Sequence, residues 1–449
     1  MTNSLERLDG MSHILKKIFS INPATNFAIA IIYSIVYDYV YRSHIVAVWE
    51  YSAFRQYHAV SRYDYLLYIL MASIPFIFYK GLNQLASSFT LFVYVFVYIP
   101  FIYSLTVYGF PDSIKYSYQI VFFIIIIIYF RTDSISLYEK YFERKKKIPF
   151  SVIPRITVIL FLILITLNVS QLHFVNFFVD PKSMYEFRES SDIKLIYVLC
   201  WLRAAFLPLL MLYYLKKNDY LKYGYCFIGF LLLFMLDQQK MTIVFPFAIT
   251  AIFYSIKYYG SDFGAKFHIF LLGIFIIIPI LLIQFQDNPI ALVFCLIFIY
   301  RIQCIAGMQF ERYMDFFEMQ DHPNTYYTHI NIINEITGLY PYKDPIGIAI
   351  NADDSNSNAT FFLMDGVAAA GIIGCVIIGM IFLLLKSMLN SLGRVYNVPL
   401  LTALFLFPLQ SLMNVSLFTS FFTHGILVLF LILLFVDINE FKVIKVEKK

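Results

Sequence analysis

Charge is what this chain has least of: Asp, Glu, Lys and Arg make up 14% of its 449 residues. A soluble domain carries about 25%. The shortfall excludes a surface that faces water on all sides and leaves lipid as the solvent for most of the chain. Tryptophan is almost missing, with two residues, against 48 Phe and 36 Tyr. Tyrosine suits membrane–water interfaces, where its ring is apolar and its hydroxyl wet. Cysteine is sparse, and Cys200, Cys226, Cys295, Cys304 and Cys375 include no CxxC pair. Zinc and redox motifs are therefore disfavoured, and four of the five sit in apolar runs as small hydrophobes. No phosphate-binding glycine loop is present, and no polar stretch is long enough for a soluble nucleotide-binding module. Neither half repeats the other, which weakens an inverted-repeat transporter. The start, Met1 to Asn22, is polar and mixed in charge, so no cleavable signal peptide is expected.

What the chain does have is hydrophobic length. A membrane-spanning helix needs about 20 mostly apolar residues. Spans are expected at roughly 24–41, 63–79, 85–108, 116–130, 152–172, 194–215, 220–237, 241–259, 266–285, 360–385, 397–416 and 419–436. The fold class that follows is all-α, one polytopic bundle of about twelve spans over residues 1–449. The stretch 290–300 is apolar but too short to cross, and reads as re-entrant or interfacial. With both termini in the cytoplasm, twice as many Lys and Arg fall on inner segments as on outer ones, as cytoplasmic loops require. The one long polar segment, 286–358, then faces away from the cytoplasm as a large loop with short helices, out of reach of ATP and nucleotide sugars.

Charged groups within or at the outer ends of spans are costly and mark candidate sites. Arg203 lies about nine residues into its span, as a site residue or half of a structural ion pair. Lys240 sits at an outer helix end in Asp237-Gln238-Gln239-Lys240-Met241-Thr242, where interfacial anchoring is the plainer role. Arg301 and Arg312 are eleven residues apart, about three helical turns, and would share a face as a solvated ion-pairing surface or a cationic wall for phosphate. Asp354, Asn356, Asn358 and Asp365 copy positions 1, 3, 5 and 12 of a calcium loop, but Ala359 stands where glycine is needed. No metal site is expected there; Asn356 and Asn358 read better as a sugar-binding lip. His424, inside the last span, and Asp365 are candidate bases for a sugar hydroxyl, although a lone helix histidine is more often a packing residue. His329, in the outer loop, is a rival.

Four segments carry a family resemblance: Tyr185-Glu186-Phe187-Arg188, Gln238-Gln239-Lys240-Met241-Thr242, the Arg301 to Arg312 stretch, and Asn358-Ala359-Thr360-Phe361-Phe362 followed by Asp365-Gly366 and the glycine-rich Gly371 to Gly379. Over about residues 180–436 the chain resembles the O-antigen polymerase (Wzy-type) family of oligosaccharide repeat-unit polymerases. The resemblance implies a C-type glycosyltransferase-like membrane fold in a bacterial cytoplasmic (inner) membrane. Its substrate would be a polyprenyl-diphosphate-linked glycan in the membrane lipid, with no nucleic acid and no cofactor, and a chain-length regulator protein is a partner to expect. Arg188, Arg203, Arg301, Arg312 and Lys240 would hold the diphosphate, and Asn356, Asn358 and His329 the glycan. The family commonly has Arg where Lys240 stands, and Lys keeps the charge without the bidentate fork. The rivals are an O-antigen ligase, for which His329 would serve as the loop histidine, and a flippase or secondary transporter.

Overall fold

The computed structural model describes residues 21–47, 60–137, 147–173, 187, 191–351 and 356–442. Helix dominates, because in lipid a backbone must satisfy its own N–H and C=O groups. In chain order the first helices are α1 (Pro23–Val40), α2 (Arg62–Ser73), α3 (Leu85–Val107), α4 (Asp112–Arg131), α5 (Val152–Leu167), α6 (Ile196–Lys217), α7 (Tyr220–Asp237) and α8 (Lys240–Tyr259). Then come α9 (Phe263–Ile283), α10 (Pro289–Met319), α11 (Asn331–Thr337), α12 (Ile346–Ala349), α13 (Phe362–Arg394), α14 (Val398–Leu404), α15 (Leu406–Ser411) and α16 (Leu417–Phe435).

Among the described residues, nine helices are long and apolar enough to cross a membrane: α3, α4, α6, α7, α8, α9, α10, α13 and α16. Four expected spans fall short of that standard. α1 carries Asn26, Ser34 and Asp38, α2 stops at 12 residues and α5 at 16. The expected span 397–416 is split into α14 and α15. Proline explains two of these ends, since its ring clashes with the carbonyl four residues back: Pro75 lies just past the end of α2, and Pro408 is four residues beyond the end of α14. α10 is the addition.

The chain divides into two units. The first holds residues 1–135, 262–387 and 412–417. Its centre is α3, buried along its whole length, as befits a helix that is apolar all round. α10 packs tightly on it at Gly307, where a Cβ would stand 2.7 Å from Ser104 Oγ and 2.9 Å from the Pro100 carbonyl. Only glycine allows that approach.

Tyrosine hydroxyls fix the directions of the helices. Tyr68 donates to Ser34 O (3.0 Å) between α2 and α1, Tyr94 to Ala72 O (2.6 Å) between α3 and α2, and Gln119 Nε2 to Thr106 Oγ1 (3.2 Å) between α4 and α3. Neighbours therefore alternate in direction. The end of α1, the start of α2, the end of α3 and the start of α4 share one face of the unit, called here the upper face. These buried tyrosines differ from the expectation of an interfacial role. Each spends its hydroxyl on a carbonyl of another helix, which in lipid ties helices together.

α9 starts at the lower face, where Leu82 N donates to Gly264 O (3.0 Å), and ends at the upper one, where His44 Nδ1 meets Gln286 Oε1 (3.0 Å). α10 begins there and returns there, for Tyr118 near the start of α4 donates to Glu318. It bends at Cys304 (φ −106°, ψ −20°), after a π-type stretch Leu296–Cys304; such stretches are usual kink points. The stretch 290–300 is thus the first third of a 31-residue bent helix whose two ends meet the same face, in keeping with the re-entrant reading. The polar segment starts after Met319, later than the expected 286, because Gln303, Gln309 and Glu311, which read as loop, are buried helix residues.

The second unit holds residues 136–261, 388–411 and 418–449. Its helices are α5 to α8, α14, α15 and most of α16, with short strands β1 (Ile148–Pro149) and β2 (Val436–Asp437) paired in parallel. α6 ends at Asn218 in the left-handed conformation (φ +56°), and Asp219 caps α7 by accepting from Lys222 N (3.2 Å).

Candidate functional site

In the first unit the polar loop after α10 is bound to a break in α13. Ala370 (φ −162°, ψ 39°) and Gly371 (φ 55°, ψ −136°) leave helical geometry. A broken helix strands carbonyls that lipid cannot satisfy. Here Ala368 O accepts from Thr325 N (2.8 Å) and Ala369 O from Tyr326 N (2.9 Å). Glycine is needed at the break, both for its φ and because a Cβ would lie 2.7 Å from Glu318 Oε1.

Asp365 stands in a π-type turn (Phe362–Val367) just before this break and is fully buried. Its Oδ1 contacts His329 Nε2 (2.9 Å) and accepts from Ser416 Oγ (2.8 Å); its Oδ2 accepts from Leu417 N (2.6 Å). With Asp365 ionised and the ring neutral, the carboxylate, which only accepts, sets the proton on His329 Nε2 and leaves a lone pair on Nδ1. That lone pair faces Thr325 Oγ1 at 2.9 Å, and Thr325 Oγ1 has a second partner in Ala368 O at 3.1 Å. Hydroxyl, imidazole and carboxylate stand in one hydrogen-bonded row. The His329 side chain is 6% exposed and Asp365 not at all. Of the two expected site residues, Asp365 is the more enclosed, ringed by His329, Ser416 and Leu417 N.

Beside the row the loop is strained. Tyr326 (φ +45°) and Tyr327 (φ +66°) both take left-handed conformations, which non-glycine residues rarely do and which cluster at functional sites. The Tyr327 hydroxyl and Asn324 Oδ1 are buried and lack a hydrogen-bond partner among the described residues. Burial first, then the Asp365 carboxylate, pushes the Tyr327 phenol up to about 12, so it remains a donor at any ordinary pH.

Arg312, in the second half of α10, reaches the same loop system. Its Nη1 donates to Asn351 Oδ1 and Ser357 Oγ, both at 2.8 Å, and Ser357 N donates to Gly347 O (2.7 Å). Asn356 and Asn358 are exposed on either side of buried Ser357. Arg301 is exposed, its guanidinium 5.2 Å from the Tyr300 ring centre. Arg301 and Arg312 do not share the environment expected from three straight turns: Arg301 falls in the π-type stretch, whose wider turns shift the register.

The other candidates belong to the second unit. Arg203 is 1% exposed. Its Nη1 donates to Asp237 and to Gln239 Oε1 (2.6 Å), and the guanidinium lies 4.7 Å from the Phe407 ring. Asp237 also accepts from Thr242 Oγ1 (3.1 Å) and Gln239 N (2.9 Å). This is a buried ion pair, the structural alternative open to Arg203, although its Nε has no hydrogen-bond partner among the described residues. His424 stacks on the other member of that group, Phe407, at 5.8 Å, and its Nδ1 meets the Thr419 carbonyl (3.3 Å). It sits in the turn before Gly425 (φ +91°), which packs against Ala204. Lys240 is the first residue of α8. Arg188 lies outside the described residues.

Sequence reasoning missed Thr325, Asn324, Tyr327, Glu318 and Ser416. Thr325 and His329 were visible as an i, i+4 pair; Ser416 is 51 residues from Asp365 and left no local signal. Among the described residues, no group of three or more His, Cys, Asp or Glu is placed to hold a metal ion. No protein-family model, curated protein or solved structure matches the chain.

Proposed function

We propose that this protein joins polyprenyl-diphosphate-linked oligosaccharide repeat units into a surface polysaccharide at the outer face of a bacterial cytoplasmic membrane. The observation that carries the reading is the Thr325–His329–Asp365 row, set in a polar loop at the upper face and bound to a broken, membrane-length helix. The upper face is read as extracytoplasmic, both termini as cytoplasmic, and the bundle as C-type glycosyltransferase-like.

The acceptor hydroxyl takes the place of the Thr325 hydroxyl at His329 Nδ1, and Thr325 turns to its second partner, Ala368 O. The hydroxyl oxygen bonds to the anomeric carbon of the donor glycan while the bond from that carbon to the diphosphate oxygen breaks. The proton passes to His329, and the lipid diphosphate leaves as an anion. Asp365 keeps the ring oriented and stabilises the imidazolium that forms. Arg312, aimed by Asn351 and Ser357, holds the departing diphosphate, where a preorganised cation acts most strongly out of bulk water. The donor is already activated, so the reaction needs no nucleotide. The test is the purified protein in lipid vesicles, given one lipid-diphosphate repeat unit and a chelator. A ladder of longer chains supports the proposal; unchanged substrate contradicts it.

A ligase would also use a loop histidine, and the His329–Asp365 pair suits it equally. The products separate the two: loss of a polymerase leaves single repeat units on the lipid A core, and loss of a ligase leaves none.

A further inference from the structure

Among the described residues, nothing is laid over α11. None of its residues is buried, and Ile332, Ile336 and the following Leu339 are 67%, 80% and 72% exposed. At about 100° per residue, Ile332, Ile333 and Ile336 fill one arc of the helix, and Asn331, Asn334, Glu335 and Thr337 fill the rest. A seven-residue helix does not hold its shape in water unaided, and β-branched isoleucine is a poor helix former. An apolar phase must cover that arc.

The loop's attachments say which phase. Tyr326 N is bonded to Ala369 O inside α13, and Asn331 is five residues further on, a reach of at most about 17 Å. α11 is therefore leashed to a helix long and apolar enough to cross a membrane, at the end where its neighbours meet the upper face. It has one acidic residue, Glu335, and no Lys or Arg, so attraction to anionic headgroups does not hold it. Hydrocarbon does.

We propose that α11 lies in the lipid leaflet at the upper face, with Ile332, Ile336 and Leu339 among the acyl chains, as a foot that holds the His329 loop at a fixed depth. The proposal stands whether or not the polymerase reading does.

The test uses the full chain in lipid nanodiscs, with and without anionic lipid. A nitroxide is attached in turn at Ile336→Cys, Asn334→Cys and, as a reference on α9, Ile277→Cys. The native cysteines are all buried, and an unsubstituted control corrects for any label they take. Accessibility to oxygen and to a water-soluble nickel chelate is then measured. The expected result is a severalfold higher oxygen-to-nickel ratio at positions 336 and 277 than at 334, unchanged by anionic lipid. A water-like ratio at 336 beside a lipid-like ratio at 277 overturns the foot. Spin–spin broadening at 336, confined to discs with two copies, overturns it in favour of a second chain as the cover. A water-like ratio at 277 removes the lipid surroundings of the bundle, and the foot with them.

Discussion

The chain offers two histidines as possible bases, and their surroundings could hardly differ more. His329 lies on a loop, with a carboxylate on one ring nitrogen and a hydroxyl on the other. His424 lies in the bend between the two helical stretches of α16, stacked on Phe407, with a backbone carbonyl at 3.3 Å. A neutral imidazole becomes a useful base when a partner fixes its tautomer and steadies the charge it gains. His329 has that partner. His424 shares Phe407 with Arg203, whose own charge is matched by Asp237. On the proposed reading, one histidine takes the proton and the other packs.

Substitutions can break or sharpen that contrast. The largest effect is expected at His329→Ala: a loss of about 10²–10⁴-fold in polymer formation, the usual weight of a general base, with the protein still in the membrane. His424→Phe should keep the stack and stay within a few-fold of wild type in the same assay. Next comes Arg203→Ala, which strands a buried Asp237 and should cost about 3–5 kcal/mol of stability, read as a lower melting temperature. The double change Arg203→Met with Asp237→Leu should recover most of it. If the double variant is stable yet inactive, Arg203 touches the substrate after all. Asp365→Asn removes a charge-assisted hydrogen bond worth about 1.5–3 kcal/mol, a drop in rate of roughly ten- to hundredfold. Gly371→Ala places a Cβ against Glu318 in a conformation that costs of order 1–3 kcal/mol, and thermal unfolding should show it. The smallest effect is at Tyr327→Phe, where no hydrogen bond within the described residues is lost. Stability should change by less than about 0.5 kcal/mol, so a clear fall in activity there would mark its hydroxyl as a substrate donor.

Much of this architecture was legible from hydropathy alone, because a helix that must bury itself in lipid advertises its length. The misreadings have physical causes. α10 was cut short because Arg301, Gln303 and Glu311 look like a loop in sequence, although Gln303 and Glu311 are buried in the helix. The span expected at 397–416 ignored what Pro408 does to Leu404. Asp365 and His329 were both visible as chemistry-bearing residues, but the bond between them joins positions 36 apart across a break that glycine alone could only hint at. The third donor on Asp365, Ser416, had no periodicity to reveal it. Residue types could be read; partners needed the fold.

The central claim is that His329, held by Asp365, is the residue that takes the proton. Its most direct test compares wild type, His329→Ala and His424→Phe, each purified into vesicles at equal folded amount and given the same lipid-diphosphate repeat unit. A ladder made by wild type and His424→Phe but not by His329→Ala is the expected result. A ladder that survives in His329→Ala and vanishes in His424→Phe would contradict the account.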